Sequence, residues 1–223
     1  MPNYKLEIAC FNYQSAVIAE QGGADRIELC DRFFEGGTTP TYETFALARK
    51  QIKIELFVMI RPRGGNFIYN NDEFAQMKKD ISFFAEAGVD GFVFGILQVD
   101  NCISKQQCAE LISLAASLPC SLHRAFDKTP KAVKSLEIVI ECGFKTILTS
   151  GFTASAMEGL GNLDVLVKQA NNRISIMPGG GVRSSNLEAI KNKTQANYYH
   201  SSAIIQGDIA DLNEVIALKK ILS

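Results

Sequence analysis

Two histidines, His123 and His200, are all that the 223 residues contain. Each closes a strand-like run, at the place where an α/β chain gathers its reactive groups, and imidazole exchanges protons near neutral pH. Arg124 and Asp127 follow the first, Ser201 and Ser202 the second. Two carboxylates, Glu7 and Glu28, recur in matching contexts, Leu6-Glu7-Ile8 and Ile27-Glu28-Leu29. A charge set among strand apolar residues needs a partner or a purpose. One reading is a structural ion pair with Arg26, Arg61 or Arg124; the other is a general base or ligand with a perturbed pKa. The catalytic candidates are therefore Glu7, Glu28, His123, Arg124 and Asp127.

A second group suits an anion. Arg61-Pro62-Arg63-Gly64-Gly65 sets two permanently charged guanidiniums beside a glycine pair. The run Met177-Pro178-Gly179-Gly180-Gly181-Val182-Arg183-Ser184-Ser185 offers bare backbone N–H groups. It leads into a helix opened by the capping box Ser185-x-x-Glu188. Ser201 and Ser202 add hydroxyls near another possible helix start. Arg61, Arg63, Gly179, Gly180, Gly181, Ser201 and Ser202 are the anion-binding candidates; the plainer reading of the glycines is a tight turn.

The elements that must position these residues follow a regular rhythm. Strand-forming runs cover Lys5–Phe11, Arg26–Cys30, Glu55–Ile60, Gly91–Ile96, Ser121–Phe126, Thr146–Ser150, Ile174–Pro178 and Asn197–Ser201. Most are nearly continuous apolar runs, as expected of parallel strands covered on both faces. Between them lie helical patterns with apolar residues three and four apart: Phe74, Met77, Ile81 and Phe84 in one, Val133, Leu136 and Ile140 in another. Glycine follows several helices, as in Gln21-Gly22-Gly23-Ala24 and Cys142-Gly143-Phe144, where it caps the C-terminus. Eight such units predict an α/β fold, a single-domain (β/α)₈ TIM barrel over 1–223, with its site at the strand C-termini.

Composition narrows the classes. A net charge of -1 from 23 basic and 24 acidic residues supplies no field for nucleic acid or an anionic membrane. No leader pattern and no apolar run of membrane-spanning length is found. The six cysteines are scattered without a C-x-x-C pair, which predicts reduced thiols in a cytoplasmic protein.

Six phrases together resemble the CutC family: Gly22-Gly23-Ala24-Asp25-Arg26-Ile27-Glu28-Leu29-Cys30, Glu35-Gly36-Gly37-Thr38-Thr39-Pro40, Val58-Met59-Ile60-Arg61-Pro62-Arg63, His123-Arg124-Ala125-Phe126-Asp127, Leu148-Thr149-Ser150-Gly151 and Met177-Pro178-Gly179-Gly180-Gly181. The resemblance implies a self-associating TIM barrel in the cytoplasm, a homodimer or higher homo-oligomer linked to copper homeostasis. It also implies copper(I) bound through cysteines near strands one and two; on that reading Cys30 is the principal ligand, with Cys10 or His200 in support. The cysteine that some members carry falls on Ala9 here, leaving Cys10 one place along, and a one-residue offset in a strand turns the side chain to the other face. Three readings stand side by side: a copper(I)-handling protein, an isomerase, lyase or hydrolase acting on a small phosphorylated or carboxylated substrate, or a barrel that has lost its chemistry and acts through protein contacts. The partner expected is a small anion or a copper ion.

Overall fold

The computed structural model describes residues 4–223. Eight short strands form one parallel sheet: β1 Lys5–Cys10, β2 Arg26–Leu29, β3 Glu55–Met59, β4 Gly91–Phe94, β5 Cys120–Leu122, β6 Thr146–Thr149, β7 Ser175–Pro178 and β8 Tyr198–Ser201. They run in the order β7-β6-β5-β4-β3-β2-β1-β8, and β8 returns beside β7 to complete the barrel. Eight helices surround them: α1 Tyr13–Gln21, α2 Tyr42–Gln51, α3 Asn71–Glu86, α4 Lys105–Leu114, α5 Ala132–Cys142, α6 Leu160–Ala170, α7 Ser184–Thr194 and α8 Leu212–Leu222. The barrel foreseen from the alternating runs is the one formed.

Strand alternation divides the side chains into two layers. Leu6, Ile8 and Cys10 of β1, with Ile27 and Leu29 of β2, join the large cluster shared with the helices. Cys30, Phe57, Met59 and Val93 form a separate small cluster with Phe11 packed on it. Each large apolar side chain moved fully out of water contributes on the order of 1.5–3 kcal/mol, so the outer layer carries most of the stability. The inner layer can then accommodate charge.

The helices follow their patterns with local shifts. Met77, Ile81 and Phe84 of α3 are buried and Phe74 packs against the core. In α5 the buried stripe is Ser135, Leu136 and Val139; Val133 is exposed and Ile140 only half-buried, so the helix sits one position round from the expected face. Gly143 ends α5 at φ 99°, where a side chain would be strained, and its N–H bonds to the Ile140 carbonyl.

One strand boundary matters for chemistry. β5 was expected to run to Phe126 but stops at Leu122. His123 Nδ1 accepts the Ala125 N–H at 3.2 Å and starts a 3₁₀ turn, Arg124–Lys128. A side chain capping its own backbone competes with the ladder and overrides the β-rich run. Had the strand continued, alternation would have sent Arg124 toward the helices; the turn brings it to the mouth.

Candidate functional site

Register builds the first layer. Glu7 pairs with Arg26 on β2 and with His200 on β8, so three ionisable residues share one level. Arg26 Nε donates to Glu7 Oε2 at 2.5 Å, and His200 Nδ1 lies 2.7 Å from Glu7 Oε1. The Arg26 guanidinium is also held between the rings of Phe57 and Tyr198, at 4.3 and 4.5 Å. Burial alone would push the Glu7 carboxyl up, but Arg26 and His200 outweigh it and hold it at about 2. Burial likewise works against charge on His200, yet the Glu7 hydrogen bond and Glu28 raise its pKa. Glu7 is thus the ionised hub of a buried network, and of its two sequence readings the structure takes the ion pair with Arg26.

One level higher, Glu28 faces a cavity of about 130 Å³ lined by Ala9, Cys30, Met59, Arg61, His123, Arg124 and His200, among others. Glu28 Oε2 lies 3.9 Å from His200 Nε2 and 3.7 Å from Cys30 Sγ, while its Oε1 is buried without a hydrogen-bond partner. Burial raises this carboxyl to about 7, opposed by His200 and reinforced by Glu7. A carboxyl that titrates near neutrality with one oxygen free is suited to accept and return a proton.

His123 contributes the complementary group. Because Nδ1 accepts the Ala125 N–H, the ring proton belongs on Nε2, which is buried without a partner in a residue that lines the cavity. Burial, with Arg61 nearby, lowers the His123 pKa to about 3, so the ring is a neutral donor. Arg61 Nη1 donates to the carbonyls of Glu35, Gly36 and Gly37 at 3.0, 3.2 and 2.8 Å, and Nη2 donates to Gly65 at 3.0 Å. It fastens two loops over the mouth; its buried Nε, without a partner, is what remains for a ligand.

Arg124 donates through Nε to Asp127 Oδ2 at 2.9 Å and through Nη2 to Ser150 Oγ at 2.7 Å, leaving Nη1 beside Gly180. Asp127 also accepts from the Ser150 and Phe152 N–H groups and from the Thr149 hydroxyl. Its lone pairs are filled, so Asp127 positions Arg124 rather than serving as a base.

The other anion candidates are placed differently from expectation. Arg63 forms an ion pair with Glu73 at 2.5 Å and donates to the Gly64, Asn66 and Ile68 carbonyls, so it is bound to its own loop and is absent from the cavity wall. The Gly179 N–H goes to the Thr149 carbonyl; the Gly180 and Gly181 carbonyls accept from Ala156 and Asn186, while their N–H groups have no partner among the described residues and stay as expected. Ser201 and Ser202 receive a guanidinium: Arg183 reaches Ser201 Oγ at 3.2 Å, Ser202 Oγ at 3.4 Å and the Val182 and Ile204 carbonyls. Nor does Ser185 open α7. Arg183 is the N-cap residue, its N–H bonded to the Asn186 carboxamide, and Glu188 is exposed.

Arg183 and Glu214 are the residues that sequence reasoning missed. Glu214 of α8 accepts from Ser184 N–H and Oγ at 2.7 and 2.6 Å, on the first residue of α7. One signal was available: a cation beside a helix N-terminus opposes the macrodipole and so has a job elsewhere. A larger concavity, about 410 Å³, lined by Tyr13, Gln14, Val17, Ile18, Gln51 and Ile209, is an apolar surface groove without a titratable cluster.

Comparison with known proteins now places the chain. The CutC family model matches residues 4–205. The chain belongs to the CutC family. A human copper homeostasis protein cutC homolog is 44% identical over 200 residues, covering 90% of this chain and 73% of that protein. A CutC-family protein of Treponema denticola is 39% identical over 204 residues, covering 92% and 83%. A CutC crystal structure from Streptococcus agalactiae superposes with a TM-score of 0.85 at 35% identity, covering 89% of this chain and 98% of that one. At 11% identity and a TM-score of 0.64, a Thermotoga maritima phosphoribosylanthranilate isomerase shares the fold alone.

For a CutC chain the fit of copper can be judged from the donors. Cys10 sits in the outer layer and donates to the Ile8 carbonyl, whereas Cys30 lies in the inner layer beneath Gly37. Burial, then Glu28, raise both thiols well above their ordinary value, which keeps them protonated. Among the described residues no three His, Cys, Asp or Glu side chains are grouped to hold a metal ion. The two-thiolate clip implied by resemblance does not fit this chain.

Proposed function

We propose that this CutC barrel is an enzyme that moves a proton on a small anionic carbonyl compound. One observation carries the reading: Glu28 and His123 line the same cavity, and each keeps one buried polar atom, Glu28 Oε1 and His123 Nε2, without a partner. A buried polar atom left unpaired costs on the order of 1–3 kcal/mol, which a substrate would recover. Glu28 takes the proton from the carbon next to the carbonyl; the C–H electron pair becomes the new C=C bond, and the carbonyl π pair moves onto oxygen. The His123 Nε2–H donates to that oxygen, a neutral donor already in place before charge develops. Arg124 Nη1 anchors the anionic end. The proton then returns from Glu28, with no co-reactant required.

The test is proton exchange in D₂O followed by NMR, using pyruvate and dihydroxyacetone phosphate as carbonyl probes of both anion types. Wild type is expected to wash deuterium into at least one, and Glu28→Gln to slow that by about 10²- to 10⁴-fold. Absence of exchange into either, from folded protein at pH 8, ends the proposal.

A second reading keeps the copper role carried in the relatives' names, with copper(I) as cargo. Its support is Cys30, a soft donor in the cavity wall with His200 nearby. Titration with copper(I) against a competing chelator decides it: one equivalent bound and lost in Cys30→Ala supports cargo, and unchanged affinity in that variant dismisses it. All six cysteines are free thiols, which favours the reducing cytoplasm. No helix among the described residues is long and apolar enough to cross a membrane. Self-association belongs to the same proposal, and sedimentation velocity reads it.

A further inference from the structure

The proton-transfer reading leaves the anion undefined, and the loops after β7 and β8 define it. In a barrel of this kind a phosphate group is held there, by backbone N–H groups and the N-terminus of a short helix. Here the hydroxyls and the helix start of that cup are already satisfied from within, while the Gly180 and Gly181 N–H groups have no partner among the described residues. The hydroxyls of Ser201 and Ser202 are bonded to the Arg183 guanidinium, at 3.2 and 3.4 Å. Arg183 is closed in turn by the Val182 and Ile204 carbonyls at 2.8 and 3.0 Å. At the helix start, Ser184 N–H and Oγ hold the buried Glu214 carboxylate. The protein's own cation and anion occupy the two halves of the place a phosphate would take.

The free donors lie across the cavity. His123 Nε2 and Arg61 Nε are buried, each 5% exposed or less as residues, and have no partner. Arg124 Nη1 has no hydrogen bond either, on a guanidinium fixed by Asp127 and Ser150. His123 and Arg124 both line that cavity, the ring against Phe67 and the guanidinium against Asp127, Ser150 and Gly180, so a donor for a carbonyl and a guanidinium share one small space. That suits a carbonyl and a carboxylate on adjacent carbons. The cavity, about 130 Å³, falls below the 300 Å³ or so at which drug-sized pockets begin.

We infer that the substrate is a short 2-oxo carboxylate, its carboxylate on Arg124 and its carbonyl on His123, and that a phosphate group is disfavoured after β7 and β8, where Arg183 already holds both serine hydroxyls and the Glu214 carboxylate holds the helix start. This rests on the proton-transfer reading for its chemistry and on binding alone for its anion. Calorimetry with oxalate, the unreactive mimic of a 2-oxo carboxylate, and with inorganic phosphate separates the two. Wild type is expected to bind oxalate at least tenfold more tightly than phosphate, and Arg124→Gln to lose at least tenfold in oxalate affinity. Phosphate binding as tight as oxalate, or oxalate affinity indifferent to Arg124→Gln in a protein with unchanged circular dichroism, overturns the inference. Where Arg124→Gln fails to fold, the wild-type ratio decides. Oxalate binding without deuterium exchange would remove the proton transfer and leave the carboxylate site standing; exchange into the triose phosphate alone would do the reverse.

Discussion

His123 and His200 end strands of the same barrel and line the same cavity, yet their surroundings shift their pKa values in opposite directions. His200 lies 2.7 Å from one carboxylate and 3.9 Å from another, and its pKa is raised. His123 meets a backbone N–H, the Phe67 ring at 4.7 Å and the charge of Arg61, and burial lowers it to about 3. Residue type and depth are shared, so the partners decide. The β1, β2 and β8 wall is a settled ion network; the β5 wall keeps a neutral donor open.

The largest blow to that contrast is Glu7→Gln. It removes the charge that both Arg26 and His200 rely on, leaving the buried Arg26 guanidinium uncompensated and His200 without its nearest carboxylate. Breaking a buried pair from one side costs about 3–5 kcal/mol, to be read from urea denaturation at pH 7. His200 should titrate lower by NMR, becoming more like His123. A loss below 1 kcal/mol would mean that water reaches the network.

Next in size is the pH dependence. His123 has a folded pKa of about 3, below the ordinary 6.5, so its contribution is lost as pH falls from 6.5 toward 3. Glu28 has a folded pKa of about 7, above the ordinary 4.5, so its contribution is present below pH 4.5 and lost as pH rises toward 7. Each amounts to up to about 1.4 kcal/mol per pH unit. Between pH 4.5 and 6.5 the two oppose each other, and wild-type stability should be nearly level. Glu28→Gln should then gain stability with rising pH across that window, and His123→Gln should lose it. Parallel profiles for all three proteins, by denaturation at pH 4.5, 5.5 and 6.5, would show that neither group is shifted as described.

How much of this could be read from the chain depends on the range of the forces involved. The eight strands and the separation of Cys10 from Cys30 follow from local alternation, which the sequence displays directly. Glu7 and Glu28 could be singled out as a pair, but not told apart, because the difference lies in Arg26 and His200 arriving from neighbouring strands. The end of β5 was hidden because Ser121–Phe126 reads as strand, while the deciding event is one hydrogen bond from Ala125 to His123. The loops after β7 and β8 were read as open because Gly179–Gly181 and Ser201–Ser202 have the right types. Their partial closure, at the serines and the helix start, comes from Arg183 crossing to Ser201 and from Glu214, thirty residues beyond Ser184.

The smallest effect belongs to a second contrast of the same kind. Arg61 and Arg63 come from one motif and point to different ends: Arg61 is 5% exposed and gathers four carbonyls beside the cavity, while the Arg63 side chain is 38% exposed and pairs with Glu73. A half-exposed ion pair is worth at most about 1 kcal/mol. Arg63→Ala should therefore lower the denaturation midpoint only slightly and leave oxalate affinity unchanged. A tenfold loss of oxalate affinity in Arg63→Ala would restore Arg63 to the anion site and shift the ligand's charged end from the β5 and β6 loops to the loop after β3.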